Sequence, residues 1–203
     1  MITIINYGMG NLGSVQNMLK RIGMPSVITS DIREIEKAEK VLLPGVGSFD
    51  AAVRRIDELG LRQVLYYKAI EQKVPFLGIC LGMQLLTRNS EEGPGNGLGY
   101  IPAATVKFEF KEQTHLKIPH MGWNFVRTNQ QSQITEGFTD DYRFYFVHSY
   151  KVVCDHPEHV VLRTDYGGWF DSAVQKDNIY GAQFHPEKSH RYGMHLLKNF
   201  SKI

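Results

Sequence analysis

The sequence predicts an α/β protein built on a central, mostly parallel and doubly wound sheet, with helices on both faces. Three observations carry this. Short apolar runs and helical repeats alternate in β-α order through the first half of the chain. The run Val74 to Ile79 is apolar throughout, as in a strand buried on both faces. Beyond Asn89 the segments become short and alternating, which predicts antiparallel strands added to the same domain.

Ile2 to Asn6 reads as the first strand, and Leu12, Val15, Leu19 and Ile22 then recur at helical spacing. Val27 to Thr29 is a second strand, followed by a helical stretch from Ile32. Lys40 to Leu43 is a third, which should stop at Pro44-Gly45-Val46-Gly47. Helical patterns follow at Phe49 to Leu59 and Leu61 to Glu71, before the apolar strand that ends at Cys80. Ser90 to Gly99 reads as a long glycine-rich loop. Thr105 to Phe108, Trp123 to Arg127, Arg143 to Val147, Val160 to Thr164 and Trp169 to Val174 are the added strands. Ile179 to Phe184 returns to a central strand, and Gly193 to Phe200 is a closing helix.

The chain has 203 residues, a length suited to one α/β domain over residues 1–203. With 22% charged residues and a net charge of +2, nothing suggests a nucleic-acid groove or a membrane surface. No apolar stretch approaches a membrane span, and Met1 to Asn6 lacks the basic region and cleavage site of a signal peptide. The only cysteines are Cys80 and Cys154. That usage suits a reducing cytoplasm better than a disulfide-stapled secreted fold.

The chemistry centres on Gly78-Ile79-Cys80-Leu81-Gly82. A nucleophile with a glycine two residues to either side, between a buried strand and a helical pattern, is the nucleophile elbow with sulfur in the serine position. The turn sets the sulfur at a helix N-terminus, where oriented N–H groups favour thiolate. A buried structural cysteine is the plainer alternative. The histidine such a nucleophile needs is best supplied by His185, at the end of the strand Ile179 to Phe184. Glu187, on the same side of an extended segment stiffened by Pro186, would hold the imidazole in one tautomer. Pro44-Gly45-Val46-Gly47 is placed for an oxyanion hole together with the N–H of Leu81. Its plainer reading is a strand-to-helix turn capped at Ser48.

Three other clusters compete. Gly8-Met9-Gly10-Asn11-Leu12-Gly13, with Asp31 about 20 residues on, fits a dinucleotide fingerprint. Asn6 and Tyr7 crowd that turn, so a tight turn with Asn11 capping the first helix is favoured, and no cofactor is expected. Cys154-Asp155-His156-Pro157-Glu158-His159 matches no standard zinc spacing, so no metal is expected either. His115, His190 and His195 read as surface or loop residues. His120-Met121-Gly122-Trp123-Asn124 suits a contact surface better than a core strand.

With the elbow, the glycines after the third strand and His185-Pro186-Glu187 together, the chain resembles the class I glutamine amidotransferases. More narrowly it resembles the glutaminase subunits of imidazole glycerol phosphate synthase, through Asn6 to Leu12, Leu43 to Gly47, Pro119 to Asn124, Phe144 to Tyr150 and Gln183 to Ser189. The resemblance implies a flavodoxin-like single domain. It implies Cys80, His185 and Glu187 as the catalytic triad, a glutamyl thioester on Cys80, and an oxyanion hole at Leu81 and Gly47. It implies glutamine held by Gln84 and the backbone of Ser149 and Tyr150. Asn11, Met121, Trp123 and Asn124 would face a cyclase subunit with a (β/α)₈ barrel, near the mouth of an ammonia tunnel. Ammonia freed into neutral water is mostly protonated, and 203 residues leave no room for an acceptor domain, so a second polypeptide is expected. Two stretches, Phe108 to Lys111 and Lys188 to Met194, are closer to paralogous glutaminases that supply ammonia for surface-polysaccharide amino sugars. The site chemistry would be the same in either; the acceptor and pathway lie between the two, with the histidine pathway favoured. Other cysteine hydrolases, an NAD-dependent oxidoreductase on the Gly8 turn and a silent binding subunit are further alternatives.

Overall fold

A computed structural model describes residues 1–110 and 115–203 of the chain. Lys111, at the end of one of the two stretches resembling the polysaccharide paralogues, lies outside the described residues.

The first half is β1 (Ile2–Ile5), α1 (Leu12–Arg21), β2 (Ser26–Thr29), α2 (Ile32–Glu36), β3 (Val41–Gly45), α3 (Phe49–Glu58) and α4 (Leu61–Tyr66), which runs on as a π-helical turn to Glu71. Then come β4 (Phe76–Cys80) and α5 (Leu81–Leu85). The short strands β5 (Asn89–Ser90), β6 (Gly93–Asn96), β7 (Ala103–Lys107), β8 (His120–Phe125) and β9 (Arg127–Thr128) follow. The remainder is β10 (Arg143–His148), β11 (Tyr150–Cys154), β12 (Val160–Asp165), β13 (Trp169–Lys176), β14 (Ile179–Ala182) and α6 (His190–Lys202).

The main sheet runs β2-β1-β3-β4-β14-β13-β11-β7-β5-β6, with β12 and β9 paired beyond β13. Its β2 to β14 half is parallel, and the second half is mainly antiparallel, the one parallel exception being β5 beside β7. Successive strand residues feed opposite faces. Val41 and Leu43 join the cluster of Phe49, Ile56, Leu61 and Leu65 from α3 and α4. Leu42 joins Val15 and Leu19 of α1 with Leu196, Leu197 and Phe200 of α6. A sheet covered by helices on both faces is what its uninterrupted apolar strands require. Among the described residues no helix is long and apolar enough to cross a membrane.

Several boundaries differ from expectation. Strand β3 does not stop at Leu43; it runs through Pro44 to Gly45, which pairs with Cys80. The Ser90 to Gly99 loop holds the β5–β6 pair, because Asp50 at the start of α3 binds it. The N–H of Gly95 donates to Asp50 at 3.0 Å, and a side chain at Gly93 would collide with that carboxylate. Strand β11 had no sequence signal strong enough to separate it from β10. The closing helix starts at His190, three residues early. Asn11 and Ser48 stand at helix N-caps, yet neither side chain makes a capping bond. At α3 the first N–H, that of Phe49, is taken by Glu92 at 2.9 Å instead.

Candidate active site

The elbow forms because two glycines remove two collisions. A Cβ on Gly78 would lie 2.6 Å from the carbonyl oxygen of Gly82, and one on Gly82 would collide with the carbonyl of Leu43 in β3. Their absence lets α5 press onto the sheet directly after the strand. Cys80 absorbs the reversal at φ +53°, a conformation an L-residue holds only where its surroundings enforce it.

His185 follows β14, beside β4 in the sheet, so both groups reach the same carboxyl edge. The histidine is fully buried, and its Nδ1 donates to Glu187 Oε1 at 2.8 Å. Glu187 reaches it from a short 3₁₀ turn over Pro186–Lys188 and not from the extended segment expected. That bond fixes which ring nitrogen faces Glu187 and leaves Nε2 buried on the cavity side, without a hydrogen-bond partner among the described residues. Burial opposes the imidazolium, but Cys80 and Glu187 both favour it and outweigh burial. The His185 pKa is therefore raised well above the usual histidine range. Ser189 locks the turn: its hydroxyl donates to the His185 carbonyl at 2.6 Å and accepts the N–H of Tyr145 in β10 at 3.0 Å.

Cys80 and His185 line one cavity of about 320 Å³ with Gly47, Leu81, Gln84, Ser149 and Tyr150. The structure thus gathers the expected nucleophile, base, oxyanion and glutamine-binding positions around one space. Gly47, at φ +109°, has a backbone only glycine adopts readily. Gln84 Nε2 donates to the Tyr150 carbonyl at 3.3 Å and to Gln183 Oε1 at 3.2 Å. Gln183 Nε2 in turn faces Cys80 Sγ at 3.8 Å.

Four contributors had escaped the sequence reading. Glu92 lines the cavity and holds the start of α3. Gln183 reaches the Cys80 sulfur. His148, also a lining residue, ends β10, one residue beyond the strand the sequence predicts. Tyr7 is fully buried, its hydroxyl packed over Gly45 without a hydrogen-bond partner among the described residues, and its pKa is raised by burial and then by Cys80. The Gly8 turn that Tyr7 enters lies against β3, with Gly10 close to the Pro44 carbonyl. Asp31, the residue a dinucleotide would need, caps α2 through the N–H of Arg33 at 2.8 Å.

Strands β8 and β10 form a separate two-stranded sheet. Met121, Trp123 and Phe125 are exposed on one face of β8, at 61%, 43% and 49%, and Asn11 is exposed at the start of α1. Asn124 is different. Its amide turns inward to His120 Nε2 at 3.2 Å and to the Asp165 carbonyl at 2.9 Å. His115 and His190 are exposed as expected, but His195 is a half-buried residue of α6 bonded to the Tyr142 hydroxyl. In the Cys154–His159 stretch, Asp155 is engaged by Arg88, and the N–H of Cys154 donates to Asp171 at 3.1 Å. Burial, then Asp171 and Asp155, push the Cys154 thiol up to about 12.

The family model of glutamine amidotransferase class-I matches residues 3–203, and the chain belongs to that family. Within the class it is 52% identical, over 202 residues, to imidazole glycerol phosphate synthase subunit HisH 2 of Methanococcus maripaludis, covering 100% of this chain and 99% of the relative. It is 46% identical to the subunit of the same name from Pseudomonas aeruginosa, over the whole of both chains. The fold is shared with a chain of the PurLQS structure from Thermotoga maritima, at a TM-score of 0.74 and 18% identity, over 99% of this chain and 97% of that one.

Proposed function

We propose that the chain is the glutaminase subunit of an imidazole glycerol phosphate synthase, a single domain of the cytoplasm that releases ammonia from glutamine for a cyclase subunit in histidine biosynthesis. The observation that carries the chemistry is Cys80, strained at φ +53° and sharing one cavity with a histidine whose Nδ1 Glu187 holds at 2.8 Å.

In this reading the thiol proton of Cys80 has passed to His185 Nε2, and Sγ attacks the side-chain amide carbon of glutamine. The tetrahedral oxyanion is met by the N–H of Leu81 and one from Val46-Gly47, a donor pair whose members are each worth about 10²–10³ in turnover. His185 gives its proton to the leaving nitrogen, the C–N bond breaks, and ammonia departs from a glutamyl thioester. Water, deprotonated by His185, then cleaves the thioester to glutamate. Gln84 and the backbone of Ser149 and Tyr150 hold the amino-acid end of the substrate. No metal or cofactor takes part. The (β/α)₈ partner docks over Asn11, Met121 and Trp123, with Asn124 behind that face. Burying that apolar face supports an interface.

The test is glutamate release from glutamine by the chain alone and then with a histidine-pathway cyclase and its nucleotide ligand, with Cys80→Ala as the blank. Cys80-dependent release that rises steeply with the cyclase supports the proposal. Cys80-dependent release indifferent to that cyclase would transfer the chain to the polysaccharide branch, and no such release would overturn the glutaminase reading.

A further inference from the structure

Tyr150 is held from two sides. Its carbonyl accepts from Gln84 and also from His148 Nδ1, at 2.7 Å. A carbonyl can only accept, so the His148 proton sits on Nδ1 and Nε2 is bare. That nitrogen lies 3.1 Å from His120 Nδ1, which must therefore carry the hydrogen. His120 Nε2 is then the acceptor, and the Asn124 amide supplies its proton at 3.2 Å. On the other side, Gln84 donates to Gln183, whose own amide hydrogens are left for Cys80 Sγ. Hydrogen-bond polarity thus fixes every member of a chain from the strand under the exposed β8 face, through the Tyr150 carbonyl, to the nucleophile.

We propose that His120 and His148 are positioning residues for glutamine, two neutral imidazoles locked in the Nδ1–H tautomer that hold the Tyr150 carbonyl in the substrate cavity. The inference deepens the glutaminase reading and rests on it for the role, though not for the tautomers.

The surroundings make packing alone a poor explanation. Both rings are buried, at 2% and 6% exposure, and enclosed by Phe108, Phe146 and Phe170. A purely space-filling role there would be met by apolar side chains without the need to satisfy four ring nitrogens. The titratable groups that face the pair offer no counter-charge. Tyr166 stacks on His120 with ring centres 3.9 Å apart, His185 acts on His148 across the cavity, and Lys151 lies over the Phe108 ring. Burial accordingly lowers His120 to about 4 and His148 to about 3, so both rings are neutral near pH 7.

Two measurements test this. Imidazole ¹⁵N shifts of the full chain between pH 5 and 8 should report both rings as the Nδ1–H tautomer without titration. An Nε2–H tautomer, or a midpoint above pH 5.5 in either ring, overturns the proposal. In the glutaminase complex, His120→Phe should raise the KM for glutamine about tenfold with kcat nearly unchanged, as expected when both hydrogen bonds of His120 are lost and His148 Nε2 is left buried and unpaired. His120→Gln can still donate to His148 and accept from Asn124, and should recover most of the affinity. Equal defects in the two variants, or a fall in kcat at constant KM, overturn it. Because the ¹⁵N readout needs no turnover, a chain lacking glutaminase activity would fail the functional reading while leaving the tautomers separately decided.

Discussion

Replacing Glu187 by Gln keeps size and shape while removing the charge that faces His185. The carboxylate oxygen lies 2.8 Å from Nδ1, where two unit charges attract by about 6 kcal/mol at an effective dielectric constant of about 20. Part of that is recovered by the remaining amide dipole, leaving about 4–5 kcal/mol withheld from the imidazolium that the proposed mechanism pairs with Cys80. That corresponds to a loss of about 10³–10⁴ in kcat. A second route gives a similar figure. The amide can present N–H to Nδ1, forcing the proton to Nε2, and the equivalent change in serine triads costs about 10⁴. The assay is glutamate release at saturating glutamine by the chain together with the cyclase of the proposed complex, alongside a thermal melt to show that the variant is folded. A folded Glu187→Gln enzyme that keeps more than a tenth of its kcat would refute the orienting role.

Two further outcomes follow from the geometry. Gly13 lies inside α1 with open space where a Cβ would go, so Gly13→Ala should stabilise the chain by about 0.5–1 kcal/mol. A rise of roughly 1–4 °C in Tm with unchanged glutaminase activity is expected, and loss of function would revive a ligand role for the Gly8 to Gly13 turn. His120 and His148 have lowered folded-state pKa values, so their contribution to stability is present above the unfolded value near 6.5 and is lost as pH falls below it. Between pH 6.5 and 5.5 the two together should cost about 2 kcal/mol. Denaturant midpoints should show that slope, and a stability independent of pH over this window would contradict their burial as neutral rings.

What could be read ahead of the structure was what is local in the chain. The elbow announces itself because both glycines that permit it lie within two residues of Cys80, and His185 and Glu187 are separated by one. The parallel half was legible for the same reason, since Val41 to Leu43 and Phe76 to Ile79 show continuous apolar character. What escaped depends on partners far along the chain. Glu92 takes the N–H of Phe49 from 43 residues away and displaces Ser48 from its expected cap. Gln183 and Cys80 are 103 residues apart, and nothing near Gln183 marks it as a neighbour of sulfur. The β5–β6 pair has a sequence rich in loop residues; Asp50 holds it in place. Asn124 looked like a surface contact because its neighbours Met121 and Trp123 are exposed, but the alternation of β8 turns its amide inward.

Cys154 changes how active centres in this protein can be counted. The chain has two thiols, but the second is held protonated at neutral pH by burial and two carboxylates, with its ionisation pushed to about 12. A small electrophile that depends on thiolate therefore meets no competitor from Cys154. The moles of such a reagent consumed report intact Cys80 sites directly, without mutating the other cysteine. Toward such a reagent the chain by itself behaves as a single-thiol protein.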